Sequence, residues 1–334
     1  MSILICGGAG YIGSHCAHEL KKAGFDCLIY DNLSEGHRAA VGGIPLIVGD
    51  LSDEGALEGV FSSHEIEGVL HLAAFALAGE SVRRPLDYWQ NNVSGTINLL
   101  RAMERRGVKH IVFSSTCAVY GEPARVPITE DEPAAPCNPY GETKLAVERL
   151  LAHCDAAYGT KSVCLRYFNA AGAMPDGSLG EDHALETHLI PLAFKTALGR
   201  REKLLVYGDD YPTKDGSCVR DYIHVLDLAE AHVRALRYLL GGGESLRLNL
   251  GSQAGASVFA VIRAAERIAG AKIPYEIARR RPGDPATAVA SAEKARSVLG
   301  WEAKRGDLDT ILADAWRWHS AHPFGYGDKE GGGA

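Results

Sequence analysis

The sequence lacks an apolar run long enough to cross a bilayer. Its longest apolar stretches, residues 68–78 and 190–193, fall well short of the roughly 20 residues that a membrane-spanning helix needs. Residues 2–6 are apolar but lead directly into glycines, without the basic region and cleavage site of a signal peptide. We therefore expect neither a membrane segment nor a secretion signal.

Regularly spaced cysteines are also missing. The sequence contains no C-x-x-C pair, and a chain of 334 residues can bury a core without disulfides. The eight cysteines lie at positions 6, 16, 27, 117, 137, 154, 164 and 218. This pattern predicts reduced thiols and a cytoplasmic location.

An excess of positive charge is absent as well. The 35 Lys and Arg residues against 42 Asp and Glu residues give a formal net charge of -7, which disfavours nucleic acids and anionic membranes as partners. A small anionic ligand must then be held by local groups. Because His15, His18, His319 and His322 have no carboxylate or cysteine neighbours at metal-ligand spacing, we expect no metal site.

The first half of the chain does contain short β-rich runs that alternate with segments of helical period, a pattern typical of βαβ units. Near-continuous apolar runs indicate parallel strands that are buried on both faces. The predicted strands are 3–6, 27–30, 46–48, 68–72, 110–114 and 162–166, and the predicted helices are 14–23, 56–62, 88–106 and 140–158. We therefore predict an α/β fold with a doubly wound parallel sheet of the Rossmann type.

The second half of the chain differs from the first in composition. Long stretches rich in Gly, Pro and charge, at 172–184, 208–220 and 278–287, resemble loops that cover a ligand. We predict a sheet domain over residues 1–170, to which residues 220–250 return. Residues 171–327 should form mainly a smaller, interleaved C-terminal lobe, and residues 328–334 a tail.

A glycine-rich loop follows the first predicted strand. Gly8, Gly10 and Gly13 satisfy G-x-G-x-x-G between a strand and a helix, a pattern that lets a backbone approach the pyrophosphate of a dinucleotide. Asp31 closes the next strand, where a carboxylate can accept hydrogen bonds from ribose hydroxyls. A 2′-phosphate would be repelled there, so NAD is favoured over NADP.

A second group of residues carries proton chemistry. Tyr140 and Lys144 are four residues apart and so share one helix face. A free phenol titrates near 10, and a base at neutral pH needs a pKa about three units lower, which Lys144 and a cationic nicotinamide could supply. Thr116 follows Ser114 and Ser115 at the end of a strand, where ligands bind in open α/β sheets.

These segments together resemble a known family. The resemblance lies in residues 7–13, Asp31, 72–81, 91–93, 113–121, Tyr140 with Lys144, 166–169 and 219–225. Over residues 1 to about 327 the chain is similar to the extended short-chain dehydrogenase/reductases, specifically to their UDP-glucose 4-epimerase family.

The resemblance implies an isomerase that uses NAD and passes through a 4-keto sugar. Tyr140 would take the proton from the sugar 4-hydroxyl, Lys144 would hold the cofactor ribose and lower the pKa of Tyr140, and Thr116 would align or relay the proton. The sheet domain would then bind NAD and the smaller lobe the nucleotide sugar.

The resemblance also implies sets of binding residues. The implied cofactor contacts are Gly7, Gly10, Tyr11, Ile12, Gly13, Asp31, Asn32, Asp50, Leu51, Ala73, Asn92, Ser114, Tyr140, Lys144 and Tyr167. The implied substrate contacts are Thr116, Tyr140, Asn169, His188, Leu189, Leu205, Tyr207, Arg220, Arg281, Asp284 and Ala288. Capping of a helix is an equal alternative for Asp50.

Ala288 departs from the family pattern, because strict glucose/galactose enzymes resemble one another in a bulky Tyr at this position. We hypothesise that the smaller side chain also admits UDP-N-acetylhexosamines. A UDP-pentose 4-epimerase and a catalytically silent NAD-binding regulator remain alternatives. A 4,6-dehydratase is disfavoured because Thr116 is followed by Cys117 and Ala118 and not by an acid.

Related enzymes pair two long helices in a four-helix interface. The equivalent predicted helices here are 88–106 and 140–158, so we expect a homodimer. The alternative is that the apolar faces of these helices pack only against the sheet and leave no surface for a second chain.

Overall fold

The computed structural model describes residues 1–281 and 283–327 and is built on a seven-stranded parallel sheet. Its strands are β1 (Ser2–Cys6), β2 (Asp26–Asp31), β3 (Leu46–Val48), β4 (Ile66–His71), β5 (His110–Thr116), β6 (Lys161–Tyr167) and β11 (Leu246–Leu250). The spatial order β3-β2-β1-β4-β5-β6-β11 places the first six strands in the order of a Rossmann fold. The predicted fold class is confirmed.

Helices cover both faces of this sheet. On one face α1 (Tyr11–Lys22) and α8 (Val225–Leu240) pack against each other and the sheet, and on the other lie α2 (Glu54–Ser63), α5 (Gly95–Arg105) and α6 (Pro139–Tyr158). Leu20 and Leu236 belong to the first buried layer, and Leu99 and Leu151 to the second. The core is therefore two apolar layers with the sheet between them.

The six predicted strands agree with the structure to within two residues. The predicted helix 88–106 is instead three pieces: α4 (Pro85–Tyr88), a π-helical segment Trp89–Ser94, and α5. Pro85 starts this run, because its fixed φ suits the first turn of a helix. A short helix α3 (Ala78–Arg83) precedes it.

A smaller lobe is built from α7 (Leu189–Ala197), α9 (Val258–Ala269) and α11 (Leu308–Ala321), which share one buried cluster with β8 (Leu204–Tyr207). Strand β13 (Tyr275–Ala278) pairs with β8 in parallel. Short strands connect this lobe to the sheet. They are β7 (Asn169–Ala171), β9 (Val219–Arg220), β10 (Tyr222–His224), β12 (Ala256–Ser257) and β14 (Thr287–Ala288).

The chain returns to the sheet twice after residue 170. Residues 225–250 supply α8 and the edge strand β11, and α10 (Glu293–Leu299) packs on both of them. Trp301 is fully buried in the same apolar layer and donates from Nε1 to the carbonyl of Asp227 at 2.9 Å. The returning part is thus longer than the expected 220–250.

Two further features expected from the sequence are a C-terminal tail and the lack of a membrane-spanning helix. The predicted tail, 328–334, lies outside the described residues. Across 1–281 and 283–327, no helix combines the length and the apolar character that a bilayer crossing requires.

A buried ion pair holds α6 to the sheet. Glu148 and Arg166 are 1% and 4% exposed, and the guanidinium binds the carboxylate through two nitrogens, at 2.8 and 2.5 Å. Ser115 donates to Glu148 at 2.5 Å, and Arg166 donates to Tyr120 at 2.9 Å. The Tyr120 hydroxyl in turn donates to Asn249 of β11 at 2.6 Å. One helix and three strands are joined by this network.

Replacement of Glu148 should cost much of the stability of the fold. In Glu148→Gln the buried guanidinium loses its counter-charge, and we expect the free energy of unfolding in urea to fall by about 3–5 kcal/mol. Asp309→Asn is the matched control, since it breaks the exposed Arg267–Asp309 pair and should cost less than about 1 kcal/mol. Equal, small losses in both variants would show that the pair does not hold α6.

Candidate active site

The loop between β1 and α1 approaches itself too closely for side chains. A Cβ on Gly13 would lie 2.0 Å from the carbonyl oxygen of Gly7, so the helix can start there only with glycine. A Cβ on Gly10 would meet only that same oxygen, at 3.5 Å. Gly10 therefore presents open backbone in front of the helix, which is the cradle that a pyrophosphate requires.

Helix α1 starts directly behind this cradle. Its first backbone N–H groups, on Tyr11, Ile12 and Gly13, have no acceptor within the helix, and Gly10 has no side chain to cap them. The Tyr11 hydroxyl donates to the carbonyl of Gly172 at 2.7 Å, which ties the loop to the chain beyond β7. Free N–H groups and the helix dipole make this an anion site.

Asp31 lies at the end of β2 beside the loop. Its Oδ2 accepts the N–H of Ala9 at 2.9 Å, and its Oδ1 accepts that of Leu33 at 2.8 Å. Each oxygen retains a lone pair for a ribose hydroxyl. The residues present therefore fit the pyrophosphate and the adenosine ribose of a dinucleotide.

Asp50 and Asn32 are brought together at the adjacent strand end. Asn32 donates to the Asp50 carboxylate at 2.6 Å, and the N–H of Ser52 donates at 2.8 Å. Burial opposes these hydrogen bonds, but they prevail and lower the pKa of Asp50. The helix-cap alternative is wrong, because Asp53 caps α2 through Ala56. Leu51 is buried one residue further on.

Ala73 lies against Gly7 of the glycine loop, and Asn92 shapes the same wall through its contacts with Phe75. The N–H of Ala73 donates to the carbonyl of Cys6 at 3.0 Å. The Asn92 amide donates to Phe75 and Thr143 and accepts from Phe75 and Asn91. All four of its hydrogen-bonding positions are used within the protein, so Asn92 positions this wall and leaves no group for direct cofactor binding.

Tyr140 stands in the first turn of α6, next to Thr116 at the end of β5. Asn138 caps this helix through Gly141 at 2.9 Å. A Cβ on Gly141 would lie 2.7 Å from the carbonyl oxygen of Ala118, so glycine lets the helix start against the turn that follows Thr116. Tyr140 and Thr116 are hydrogen-bonded as a result.

Lys144 lies one turn further along the same face. Its Nζ donates to the carbonyl of Ser114 at 2.7 Å and lies 6.0 Å from the centroid of the Tyr140 ring. Burial lowers the pKa of Lys144 to about 7. An ammonium carries three N–H donors, and two remain after the bond to Ser114 for a ribose.

The fall in the pKa of Tyr140 that is expected from Lys144 and a cationic nicotinamide together is not present in the protein alone. Burial raises the pKa of Tyr140 to about 12, and the opposing contribution comes from the hydrogen bond with Thr116. Because Lys144 is itself only partly charged at neutral pH, it stabilises a phenolate weakly. The phenolate needs a further positive charge in the site.

Tyr167 and Ser114 close the floor of the site. The Tyr167 hydroxyl and Ser114 Oγ are hydrogen-bonded to each other, and both side chains are buried. This contact fixes the ends of β5 and β6 side by side.

Asn169 and Arg220 lie on the sheet side of the smaller lobe. The N–H of Asn169 donates to the carbonyl of Asp221 at 3.0 Å, so the two segments are adjacent. Arg220 Nη1 donates to Val219 and Pro285. Its buried Nη2 has no hydrogen-bond partner within residues 1–281 and 283–327 and lies 3.6 Å from Asp284 Oδ1. A buried, unsatisfied guanidinium nitrogen is suited to an anionic ligand.

Arg281 and Asp284 continue this surface. Arg281 Nε donates to Asp284 Oδ2 at 2.9 Å, and its guanidinium lies 4.7 Å from the centroid of the Tyr207 ring. Leu205 and Tyr207 point outward from β8, while their neighbours are buried. The structure thus gathers a cation and a carboxylate from one segment and an aromatic ring from a distant one.

The remaining predicted substrate residues lie at two further points. His188 caps α7 by position and Leu189 starts it. Ala288 on β14 pairs with Arg220 and belongs to a buried apolar cluster with Phe168.

Two positioning residues, Glu148 and Asp221, are absent from the sets of site residues predicted from the sequence. Glu148 lies four residues after Lys144 on the same helix face, a spacing that could have revealed it. Asp221 is fully buried, and its carboxylate accepts from Ser252, Gln253 and Ala290. It follows Arg220 directly, so it holds the arginine strand in place.

Known proteins resemble this chain over nearly its whole length. Residues 3–251 match the NAD dependent epimerase/dehydratase family. A UDP-glucose 4-epimerase of Halalkalibacterium halodurans is 52% identical over 326 residues, 98% of each chain.

Solved structures agree with this match. That of the Brucella ovis UDP-glucose 4-epimerase in complex with NAD has a TM-score of 0.92 at 46% identity, covering 94% of this chain and 97% of that one. The Bifidobacterium longum UDP-glucose 4-epimerase in complex with NAD+ and UDP has a TM-score of 0.93 at 40% identity, covering 98% and 100%. This chain therefore belongs to the UDP-glucose 4-epimerases, isomerases of the NAD dependent epimerase/dehydratase family.

Proposed function

We propose that this chain interconverts UDP-glucose and UDP-galactose through a 4-keto intermediate, with NAD as its cofactor. The observation that carries the proposal is the pair Tyr140 and Thr116, held at the carboxyl edge of the sheet beside the glycine cradle and Asp31. Bound NAD supplies a two-electron acceptor for the hydrogen at C4, which it later returns, and in its oxidised form a positive charge.

Tyr140 carries the proton chemistry. As a phenolate it takes the proton of the sugar 4-hydroxyl when C4 is oxidised, and it gives a proton back when C4 is reduced on the other face. Thr116 is hydrogen-bonded to the phenol and aligns it. Lys144 supplies N–H donors to the cofactor ribose, and its charge adds to that of the oxidised cofactor in favouring the phenolate.

Arginines supply the anion site for the substrate diphosphate. Arg220 offers the unsatisfied Nη2, and Arg281 is fixed by Asp284. A guanidinium can bind phosphate oxygens in two places at once. Asn169, His188 and Leu189 would border the diphosphate and sugar, and Leu205 and Tyr207 the uracil.

The division of labour follows from these placements. We assign NAD binding to residues 1–170 with the returning segments, and nucleotide-sugar binding mainly to residues 171–327. Free cysteines and the negative net charge support action on a small molecule in the cytoplasm.

Ala288 sets the range of sugars. Its methyl group occupies a wall that it shares with Phe168 and Arg220, and a smaller side chain leaves room next to the sugar ring. We infer that UDP-N-acetylglucosamine is also a substrate.

Loss of the Tyr140 hydroxyl should remove the base. We expect Tyr140→Phe to lower kcat for UDP-glucose about 10²- to 10⁴-fold while NAD, measured by the absorbance of the purified protein, stays bound. Tyr158→Phe, an exposed tyrosine on the same helix, is the control and should keep full activity. Equal activity of Tyr140→Phe and wild type would exclude Tyr140 as the base, and NAD binding without epimerisation by the wild type would indicate a silent regulator.

A larger side chain at 288 should narrow the substrate range. We expect Ala288→Tyr to lose turnover of UDP-N-acetylglucosamine and to keep that of UDP-glucose, which also reports that the variant folds. Ala288→Gly is the matched small variant and should turn over both. Absence of wild-type turnover of the acetylated sugar would refute the inference, and a preference for UDP-xylose would favour the pentose alternative.

The surface beside α6 supports a homodimer. The apolar faces of α5 and α6 are buried against the sheet through Leu99, Met103 and Leu151. This burial is what the alternative without a dimer requires. Val82, Leu86 and Trp89, however, are 62%, 82% and 42% exposed on the segment that packs on α6. Such an exposed apolar group is typical of an interface.

Leu86→Glu should disrupt this dimer, because it places a charge in the apolar contact. Light scattering should give twice the chain mass for the wild type and for Val298→Glu, an exposed apolar position elsewhere. It should give a lower mass for Leu86→Glu. A wild-type protein that is monomeric at micromolar concentration would contradict the proposal.

A further inference from the structure

Four potential metal ligands lie within one stretch of eight residues. Glu181, His183, Glu186 and His188 each offer one oxygen or nitrogen atom, and these four atoms all lie within 4.8 Å of one another. The stretch joins the coil after β7 to α7. The sequence-based expectation of no metal site rests on His15, His18, His319 and His322 and does not consider these four residues.

The distances within the cluster suit a four-coordinate ion. His183 Nδ1 lies 3.3 Å from Glu186 Oε2 and 3.5 Å from Glu181 Oε1. His188 Nδ1 lies 3.8 Å from Glu186 Oε1 and 2.5 Å from Glu181 Oε1. Bonds of 2.0–2.1 Å in a tetrahedron place neighbouring ligands about 3.3 Å apart, and the four separations, from 2.5 to 3.8 Å, lie on either side of that value.

Two buried carboxylates favour a positive charge at this cluster. The side chains of Glu181 and Glu186 are each 4% exposed. In the described part of the chain, both carboxylates form ion pairs with the two histidines and with no Lys or Arg. Buried carboxylates are retained where they are paired or coordinate a metal, and a divalent cation would take the place of the two imidazolium protons in these ion pairs.

The surroundings hold the ligands in place. His183 and His188 meet edge to face with ring centroids 5.4 Å apart, and Tyr11 meets His183 in the same way at 6.4 Å. Glu186 Oε1 accepts the backbone N–H groups of Thr187 and His188 at 2.8 Å. Trp318 Nε1 donates to the carbonyl of Glu181 at 3.1 Å, which ties the stretch to α11. Contacts of this kind orient metal ligands.

We propose that Glu181, His183, Glu186 and His188 bind one divalent transition-metal ion of the zinc type. Two imidazoles with two carboxylates suit zinc better than calcium or magnesium, which prefer oxygen ligands alone. His188 is half exposed and gives the ion a path from solvent. The bound ion would fix the entry to α7 and replace the two imidazolium protons that balance the carboxylates beside Tyr11.

Zinc binding can be measured without reference to catalysis. Full-length protein without an affinity tag is treated with chelator, titrated with zinc alone, and assayed by mass spectrometry for bound metal. We expect the wild type to bind about one equivalent of zinc. His183→Gln and Glu186→Gln should each bind zinc at least about tenfold more weakly than the wild type does. His18→Gln, an exposed histidine on α1, should keep the wild-type affinity.

Two further measurements guard against misfolded variants. Zinc should raise the melting temperature of the chelator-treated wild type and of His18→Gln, but not that of His183→Gln. Cobalt should give the visible absorption of a four-coordinate ion in the wild type. The proposal is overturned if the wild type binds no zinc, or if His183→Gln and Glu186→Gln bind it as well as the wild type does, which would mean adventitious surface binding. Epimerase activity enters neither outcome, so this proposal can fail without affecting the proposed function.

Discussion

The buried pair of Glu148 and Arg166 is the constraint on which the active site depends. Tyr140, Lys144 and Glu148 follow one another at intervals of four residues along a single face of α6, so the helix delivers all three to the sheet in one orientation. Because Glu148 binds Arg166 of β6 and Ser115 of β5, the helix can neither rotate nor slide. The position of Tyr140, the base that we propose, is therefore set by an ion pair two turns away.

The charges near the proposed site differ in sign from the net charge of the protein. The chain is acidic overall, yet its cleft presents the N–H groups of α1 and the guanidinium of Arg220, whose Nη2 is left unsatisfied among the residues described. Burial also keeps Tyr140 protonated and Lys144 partly neutral in the protein alone. The proposed role of Tyr140 as a base therefore requires the positive charge of the oxidised cofactor in the site.

The sequence predicts the sheet well because its strands are buried on both faces and read as apolar runs, and because the glycine loop and Asp31 are short-range signals. It does not predict the edge strand β11 or the break at Trp89–Ser94, which depend on tertiary packing. Glu148 is also missed, since its partner Arg166 lies on another element. The raised pKa of Tyr140 in the protein alone is not predicted, because spacing alone does not reveal how strongly burial acts.

In the proposed reaction Tyr140 moves a proton, and the hydrogen at C4 passes to bound NAD and back to the same carbon. It is not released to solvent. The direct measurement is turnover of UDP-glucose that carries deuterium at C4, with mass spectrometry and NMR of the product formed in ordinary water. We expect UDP-galactose with the deuterium retained at C4. Loss of the label to solvent would contradict it, because the hydrogen would then have left the site as a proton.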